Sequence, residues 1–168
     1  MATASSGTVR DLLRWLGVAA AVVLLDQLSK FAIMGSMRFL ETYTINGFFN
    51  LVLVYNTGAA FSLFADAAGW QRGLFIAIGV VASAVIVALL HRHAADRRFC
   101  FALSLILGGA IGNLCDRVVL GHVVDFIQLH AGGWYWPAFN AADSAISCGA
   151  ALLIWDGLFP GARGKPAH

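Results

Sequence analysis

Four apolar stretches constrain this chain more than any other feature. They run at about 12–34, 71–90, 99–117 and 138–159, and each is close to the ~20 residues a helix needs to cross a bilayer. Of the 168 residues, 60% are hydrophobic and only 12% charged, whereas a soluble domain carries roughly a quarter charged residues. The expected fold is an all-α membrane protein, a single integral-membrane domain over residues 1–168 with four transmembrane helices. Residues 35–70 and 118–137 then connect the spans on one side. Arg10 and Arg14 before WLGVAAAVVLL imitate a cleavable leader. The helical pattern nevertheless continues past Asp26 to Met34 with no small-residue cleavage site, so a retained first span is expected.

Basic residues orient the bundle. Arg10 and Arg14 precede the first span, Arg92, Arg97 and Arg98 lie between the second and third, and Arg163 and Lys165 follow the fourth. The opposite side offers Arg38 and Arg72, with Lys30 and Arg117 near span ends. The excess of positive charge puts both termini in the cytoplasm. The net charge of +2 is small and forms no basic stripe, so nucleic acid is not an expected partner. Cys100, Cys115 and Cys148 all fall in apolar runs, with no metal-ligand spacing. They are expected to be small buried hydrophobes.

The outer connections are not featureless. TYTINGFFNLVLVY places β-branched and aromatic residues around Asn46-Gly47, a strong hairpin signal. NTGAAFSLF (56–64) has a short amphipathic character. FIQLH, Gly132-Gly133 and WYWP give a weaker hairpin signal. A small β element with a short helix is therefore expected on the outer face, with Trp70, Trp134, Tyr135 and Trp136 at the aromatic belt. Gly108, Gly109 and Gly112 in the third span suit close helix–helix approach.

The polar residues inside the spans converge on one depth. Asp26, Gln27, Ser29 and Lys30 lie in the outer half of span one. Asn113, Asp116 and Arg117 close span three, and Asn140, Asp143 and Ser144 open span four. Asp125 follows Asp116 by nine residues. A charged Asp at a helix centre costs ~2.5–3.5 kcal/mol on insertion scales. Four carboxylates at a common level on separate elements are better explained as a site. Asp156, near the inner end of span four, is expected to face the interface. Asn113 and Asp116 are three residues apart, as are Asn140 and Asp143, so each amide is expected beside its carboxylate.

Two adjacent carboxylates cannot both ionise cheaply, so one keeps a proton. The charged member activates water against a carbonyl while the protonated one donates to the carbonyl oxygen. That is peptide hydrolysis with neither a metal nor a cofactor. Spacing leaves open whether Asp116 or Asp125 is a dyad member. Asp116 beside Arg117 reads as a paired, structural carboxylate, and Asp125 has no adjacent cation. His122 and His130 flank Asp125 without a third metal ligand. A proton- or ion-coupled membrane transporter is the main alternative, and a scaffold protein a third. Against transport, the polar residues stop at one leaflet and no inverted repeat is visible.

DQLSK (26–30), YNTGAAFS (55–62), GGAIGNLCDRVVLGHVVDFI (108–127) and FNAADSAI (139–146) resemble the bacterial lipoprotein signal peptidases, also called signal peptidase II. The resemblance implies a four-span aspartic endopeptidase of the plasma membrane. Such an enzyme removes signal peptides from prolipoproteins whose cysteine carries diacylglycerol. It implies Asp125 and Asp143 as the catalytic dyad, with Asp26, Asn56, Asn113, Asp116, Arg117 and Asn140 as supporting residues. It further implies a β element and short helix over the site at about 37–69, sensitivity to the cyclic peptide globomycin and membrane lipid as a partner. A monomer is expected.

Overall fold

The computed structural model of the protein describes residues 9–58 and 70–159. These form α1 (Val9–Ser36), β1 (Thr42–Asn46), β2 (Phe49–Asn56), α2 (Trp70–Arg92), α3 (Arg97–Val119), β3 (Val123–Ala131), β4 (Trp134–Tyr135) and α4 (Ala141–Leu158). All four helices are long and apolar enough to cross a membrane. The apolar stretches of α1, α2 and α4 bury only 17%, 11% and 17% of their residues against 56% for α3. Helix α3 is therefore the central post, and the other three turn apolar faces outward, as lipid-facing helices do. The short helix expected around 56–64 lies largely outside the described residues.

Span ends differ from expectation where capping decides them. Helix α4, expected over 138–159, is the shortest of the four at 18 residues. It begins at Ala141 rather than 138 because Asn140 is its N-cap and accepts from the Asp143 backbone N–H. Helix α3 starts early because the Asp96 side chain caps it at the Phe99 N–H.

The β element is a four-stranded antiparallel sheet in the order β1-β2-β3-β4. The β1–β2 hairpin turns at Asn46-Gly47 as expected, with Asn46 Oδ1 accepting from Phe48 N at 3.1 Å. The β3–β4 hairpin turns at Gly132-Gly133, whose φ values of 57° and 83° need glycine. Between β2 and β3, Leu51 pairs with Ile127 but Val54 pairs with Asp125. Two residues of β2 thus oppose Phe126 alone, a bulge immediately beside Asp125.

Two apolar clusters sandwich a polar layer. One gathers Trp15, Ala19, Ile86, Leu90, Cys100, Leu103 and Leu107. The other packs Met37, Leu53 and Val124 where the sheet meets α1. On α1 the buried Asp26 and Lys30 lie between them. The glycines permit this packing. A Cβ at Gly108 would meet Val22 at 2.5 Å, one at Gly109 would strike the Ala142 carbonyl, and one at Gly112 would meet the Asp26 carboxylate at 2.5 Å.

Three expectations need correction. Cys148 is exposed, unlike buried Cys100, because it lies on the outward side of α4 along a cavity wall. Asp156 is buried (8% exposed) rather than interfacial, and it keeps an electrostatic or hydrogen-bonding partner there. Asp116 does not pair with Arg117, since neighbours on a helix point in different directions.

Candidate active site

The site is built on a buried ion cluster. Lys30 Nζ lies 2.8 Å from Asp26 Oδ2, 2.7 Å from Asp116 Oδ2 and 3.0 Å from Asn113 Oδ1. An ammonium has three donors, and all three are used. Lys30 is 2% exposed, Asp26 0% and Asp116 3%. Charges so completely removed from water persist only when paired and hydrogen-bonded. Gln27 Nε2 completes the cluster by donating to Asp116 Oδ1 at 2.9 Å and Asp26 Oδ2 at 3.1 Å.

Each carboxylate of this cluster also reaches across to a neighbouring element. Asp26 Oδ1 accepts from Ala142 N at 2.9 Å, one of the amides that a helix start leaves unpaired. Asp116 Oδ2 accepts from Val124 N at 3.1 Å. The residues next in sequence to those two amides are Asp143 and Asp125.

Asp125 is carried by β3 and 3% exposed. Its Oδ1 accepts from Asn140 Nδ2 at 2.7 Å and its Oδ2 from Asn56 Nδ2 at 3.1 Å. Asp143 Oδ1 accepts from Asn113 Nδ2 at 2.8 Å, and its Oδ2 accepts from the Asn140 backbone N–H at 3.2 Å. Asn140 sits beside Asp125 because the preceding residue is pinned to β3. Phe139 N donates to Ile127 O at 2.9 Å, and Ile127 N returns a bond to Phe139 O at 2.8 Å.

The amides therefore cross over. Asn113 holds Asp143 rather than Asp116, and the Asn140 side chain holds Asp125 while its backbone holds Asp143. Burial pushes the Asp125 carboxyl up to about 7, reinforced by the Asp143 charge, while the bonds from Asn56 and Asn140 and the Lys30 charge pull the other way. A group shifted so far toward neutrality is suited to holding a proton.

Arg117 projects from the last turn of α3. Its Nη2 donates to Gly58 O at 3.1 Å, its Nη1 to Asn113 O at 3.2 Å, and its guanidinium lies 5.1 Å from the Phe75 ring centroid. Asn56, Asn113, Arg117, Asp125 and Asp143 line one cavity of about 520 Å³. Val123, Leu129, Trp136 and Ile146 give it apolar walls. His122 instead packs tilted against Tyr55 and His130 stacks on Tyr135, with centroids 4.2 Å and 5.3 Å apart.

The model of the family described as signal peptidase (SPase) II matches residues 18–159. The chain belongs to the signal peptidase II family. A lipoprotein signal peptidase of Janthinobacterium sp. (strain Marseille) is 56% identical over 148 residues, covering 88% of this chain and 90% of that protein. One from Cupriavidus taiwanensis is 57% identical over 154 residues, covering 92% and 87%. A bacterial membrane enzyme solved by the in meso method at 2.3 Å resolution superposes with a TM-score of 0.79 at 30% identity, over 92% of this chain and 93% of that one.

All eight residues expected at the site in this signal peptidase II chain fall in one connected network. Lys30 and Gln27 belong to it too; the sequence places both at this depth but gives neither a role in the site. The i,i+4 spacing of Asp26 and Lys30 on an otherwise apolar helix was the signal that pointed to them. Placement in the family makes the protein a membrane-embedded protease.

Proposed function

We propose that this protein removes signal peptides from bacterial prolipoproteins as an aspartic endopeptidase, with Asp125 and Asp143 as its catalytic pair. One observation carries the choice of aspartates. Asp26 and Asp116 are consumed by Lys30, whereas Asp125 and Asp143 face a shared cavity.

The pair holds one proton between its members. The ionised carboxylate takes a proton from water as the water oxygen attacks the scissile carbonyl. The protonated carboxyl gives its proton to the carbonyl oxygen, forming a neutral gem-diol. Collapse of that species expels the amine, which leaves with a proton returned through the pair. Asn113, Asn140 and Asn56 hold the carboxylates by donation alone and leave proton transfer to the pair.

The substrate is a prolipoprotein cut just before its diacylglyceryl-modified cysteine. Acyl chains keep that cysteine at the outer membrane surface, and the signal helix occupies the bilayer. The apolar cavity walls suit both. The charge asymmetry of the connections supports cytoplasmic termini and an active site on the periplasmic face of the inner membrane.

A prolipoprotein cleavage assay tests this, run with and without globomycin. Asp125→Asn and Asp143→Asn each abolish cleavage while the protein still inserts, and globomycin blocks the wild type. Full activity in either variant removes that residue from the pair.

A further inference from the structure

Both catalytic carboxylates trace back to one atom. Lys30 Nζ can only donate, so the Asn113 oxygen must face it. That fixes the Asn113 amide, turning its Nδ2 onto Asp143 Oδ1 at 2.8 Å. The same Asn113 oxygen accepts from Asn140 Nδ2 at 3.2 Å. Together with the bond that Asn140 Oδ1 accepts from Asp143 N and the one that Nδ2 donates to Val124 O, this holds the Asn140 nitrogen inward, where it donates to Asp125 Oδ1 at 2.7 Å. Without that cation, Asn113 Oδ1 loses its charged donor and keeps Asn140 Nδ2, so the orientation that aims its Nδ2 at Asp143 is held less firmly.

A second route runs through the backbone. Lys30 holds Asp26, which anchors Ala142 N, and Asp116, which anchors Val124 N. Each anchored residue is the sequence neighbour of one dyad aspartate. Lys30 lies beneath the pair and is 2% exposed, so substrate does not reach it.

We propose that Lys30 is a positioning residue for peptide hydrolysis, setting through the Asn113–Asn140 relay the direction from which each of Asp125 and Asp143 receives its hydrogen bond. This rests on the assignment of those two aspartates as the catalytic pair.

Lys30→Met alone strands two buried carboxylates, so the test uses the Lys30→Met/Asp26→Asn double variant. It leaves the cluster's net charge unchanged, and the new amide oxygen at position 26 still accepts from Ala142 N. Cleavage of diacylglyceryl-modified prolipoprotein by detergent-purified protein gives kcat and KM, and thermal melting reports folding. The expected result is a folded variant with kcat down about 100-fold, the scale of loss when catalytic groups are misplaced, and KM unchanged. Adding Asn113→Ala to it lowers kcat little further, so that the triple variant is no slower than Asn113→Ala alone. A folded double variant with wild-type kcat, or full additivity with Asn113→Ala, overturns the inference. Asn113→Asp decides the matter if the double variant does not fold. It strengthens the pairing with Lys30 but removes the donor to Asp143, so a relay requires kcat to fall and retained activity refutes it. Asp125→Asn in the same assay separates the two claims. Its retained activity sinks the dyad itself, while its inactivity beside a fully active double variant sinks only the role of Lys30.

Discussion

Asn140 and Asp143 cap one another. Asn140 Oδ1 accepts from Asp143 N at 2.9 Å, and Asp143 Oδ2 accepts from Asn140 N at 3.2 Å. This capping box means that a proposed catalytic carboxylate also forms the start of its own helix. Helix formation itself brings Asp143 to a fixed place relative to Asn140, and Asn140 in turn holds Asp125.

Substitution at these two positions therefore separates folding from chemistry. Asp143→Asn cannot offer acceptors to both Asn113 Nδ2 and Asn140 N, so it loses stability by about 1 kcal/mol and all activity. Asn140→Ala loses the cap, worth about 1 kcal/mol, and leaves Asp125 without its shortest donor, so cleavage slows sharply. Thermal melts paired with the prolipoprotein assay read both effects. An Asn140→Ala variant that melts lower yet cleaves at the wild-type rate would show that the cap matters and the donor to Asp125 does not.

Asp125 makes stability depend on pH in an unusual direction. Burial, with the charge of Asp143, raises its carboxyl from 3.8 to about 7. Between those values the folded protein keeps a proton that the unfolded chain has lost. Stability from this group is therefore full at low pH and declines as pH rises toward about 7, then levels. Asp125→Asn removes the dependence. The melting temperature of the variant minus that of the wild type should rise across this window and flatten above it. A difference independent of pH would mean that Asp125 titrates as an ordinary surface carboxylate. Cleavage by the wild type should fall above about pH 7, as the shared proton leaves.

The third prediction concerns the glycines of α3. Gly112 faces the Asp26 carboxylate and Gly109 the backbone of α4. Gly112→Ala and Gly109→Ala each overpack their contact and destabilise by about 1–3 kcal/mol. Gly112→Ala also pushes on the carboxylate that anchors Ala142, so it loses more activity than its melting temperature implies. Gly79→Ala is the control, since its Cβ would meet Leu114 at an ordinary 3.4 Å and alanine favours the helix. Equal losses in all three variants would contradict the close approach of α3 to α1 and α4.

How much of this was legible in the sequence follows from what each feature depends on. The four helices and both hairpin turns depend on local pattern, and Asn46-Gly47 and Gly132-Gly133 lie where the turns form. The convergence of polar residues at one depth depends only on counting along spans, so the network's membership was also readable. Its wiring was not. Asp116 is adjacent to Arg117 in sequence but is paired with Lys30, 86 positions away, because helix packing and not adjacency brings charges together. Likewise Asn113 reaches Asp143 because α3 packs against α4, and Asn140 reaches Asp125 because Phe139 bridges to β3. The β2 bulge beside Asp125 is a matter of strand register, which alternation alone does not reveal.

Arg72 supplies the last prediction. It extends from the first turn of α2, where Nε donates to Arg117 O and Nη2 to Val118 O, each at 2.9 Å. These carbonyls belong to the final turn of α3, which a helix leaves without internal partners. A guanidinium placed there satisfies them and favours the negative end of the helix. The chain then turns through Gly121, whose φ is +84° and whose α-carbon faces the Arg72 guanidinium. Beyond that turn β3 delivers Asp125. Phe75, one helical turn further along α2, covers the Arg117 guanidinium. Arg72→Ala therefore frees the end of α3 and loosens both Arg117 and the approach to Asp125. It should melt a few degrees lower and cleave several-fold more slowly, with Arg72→Lys intermediate because one ammonium cannot match the two-pronged geometry. Amide hydrogen exchange of residues 117–123 measures the cause directly. Faster exchange confined to that stretch is the expected outcome, and unchanged exchange there in Arg72→Ala would show that α3 holds its last turn without help from α2.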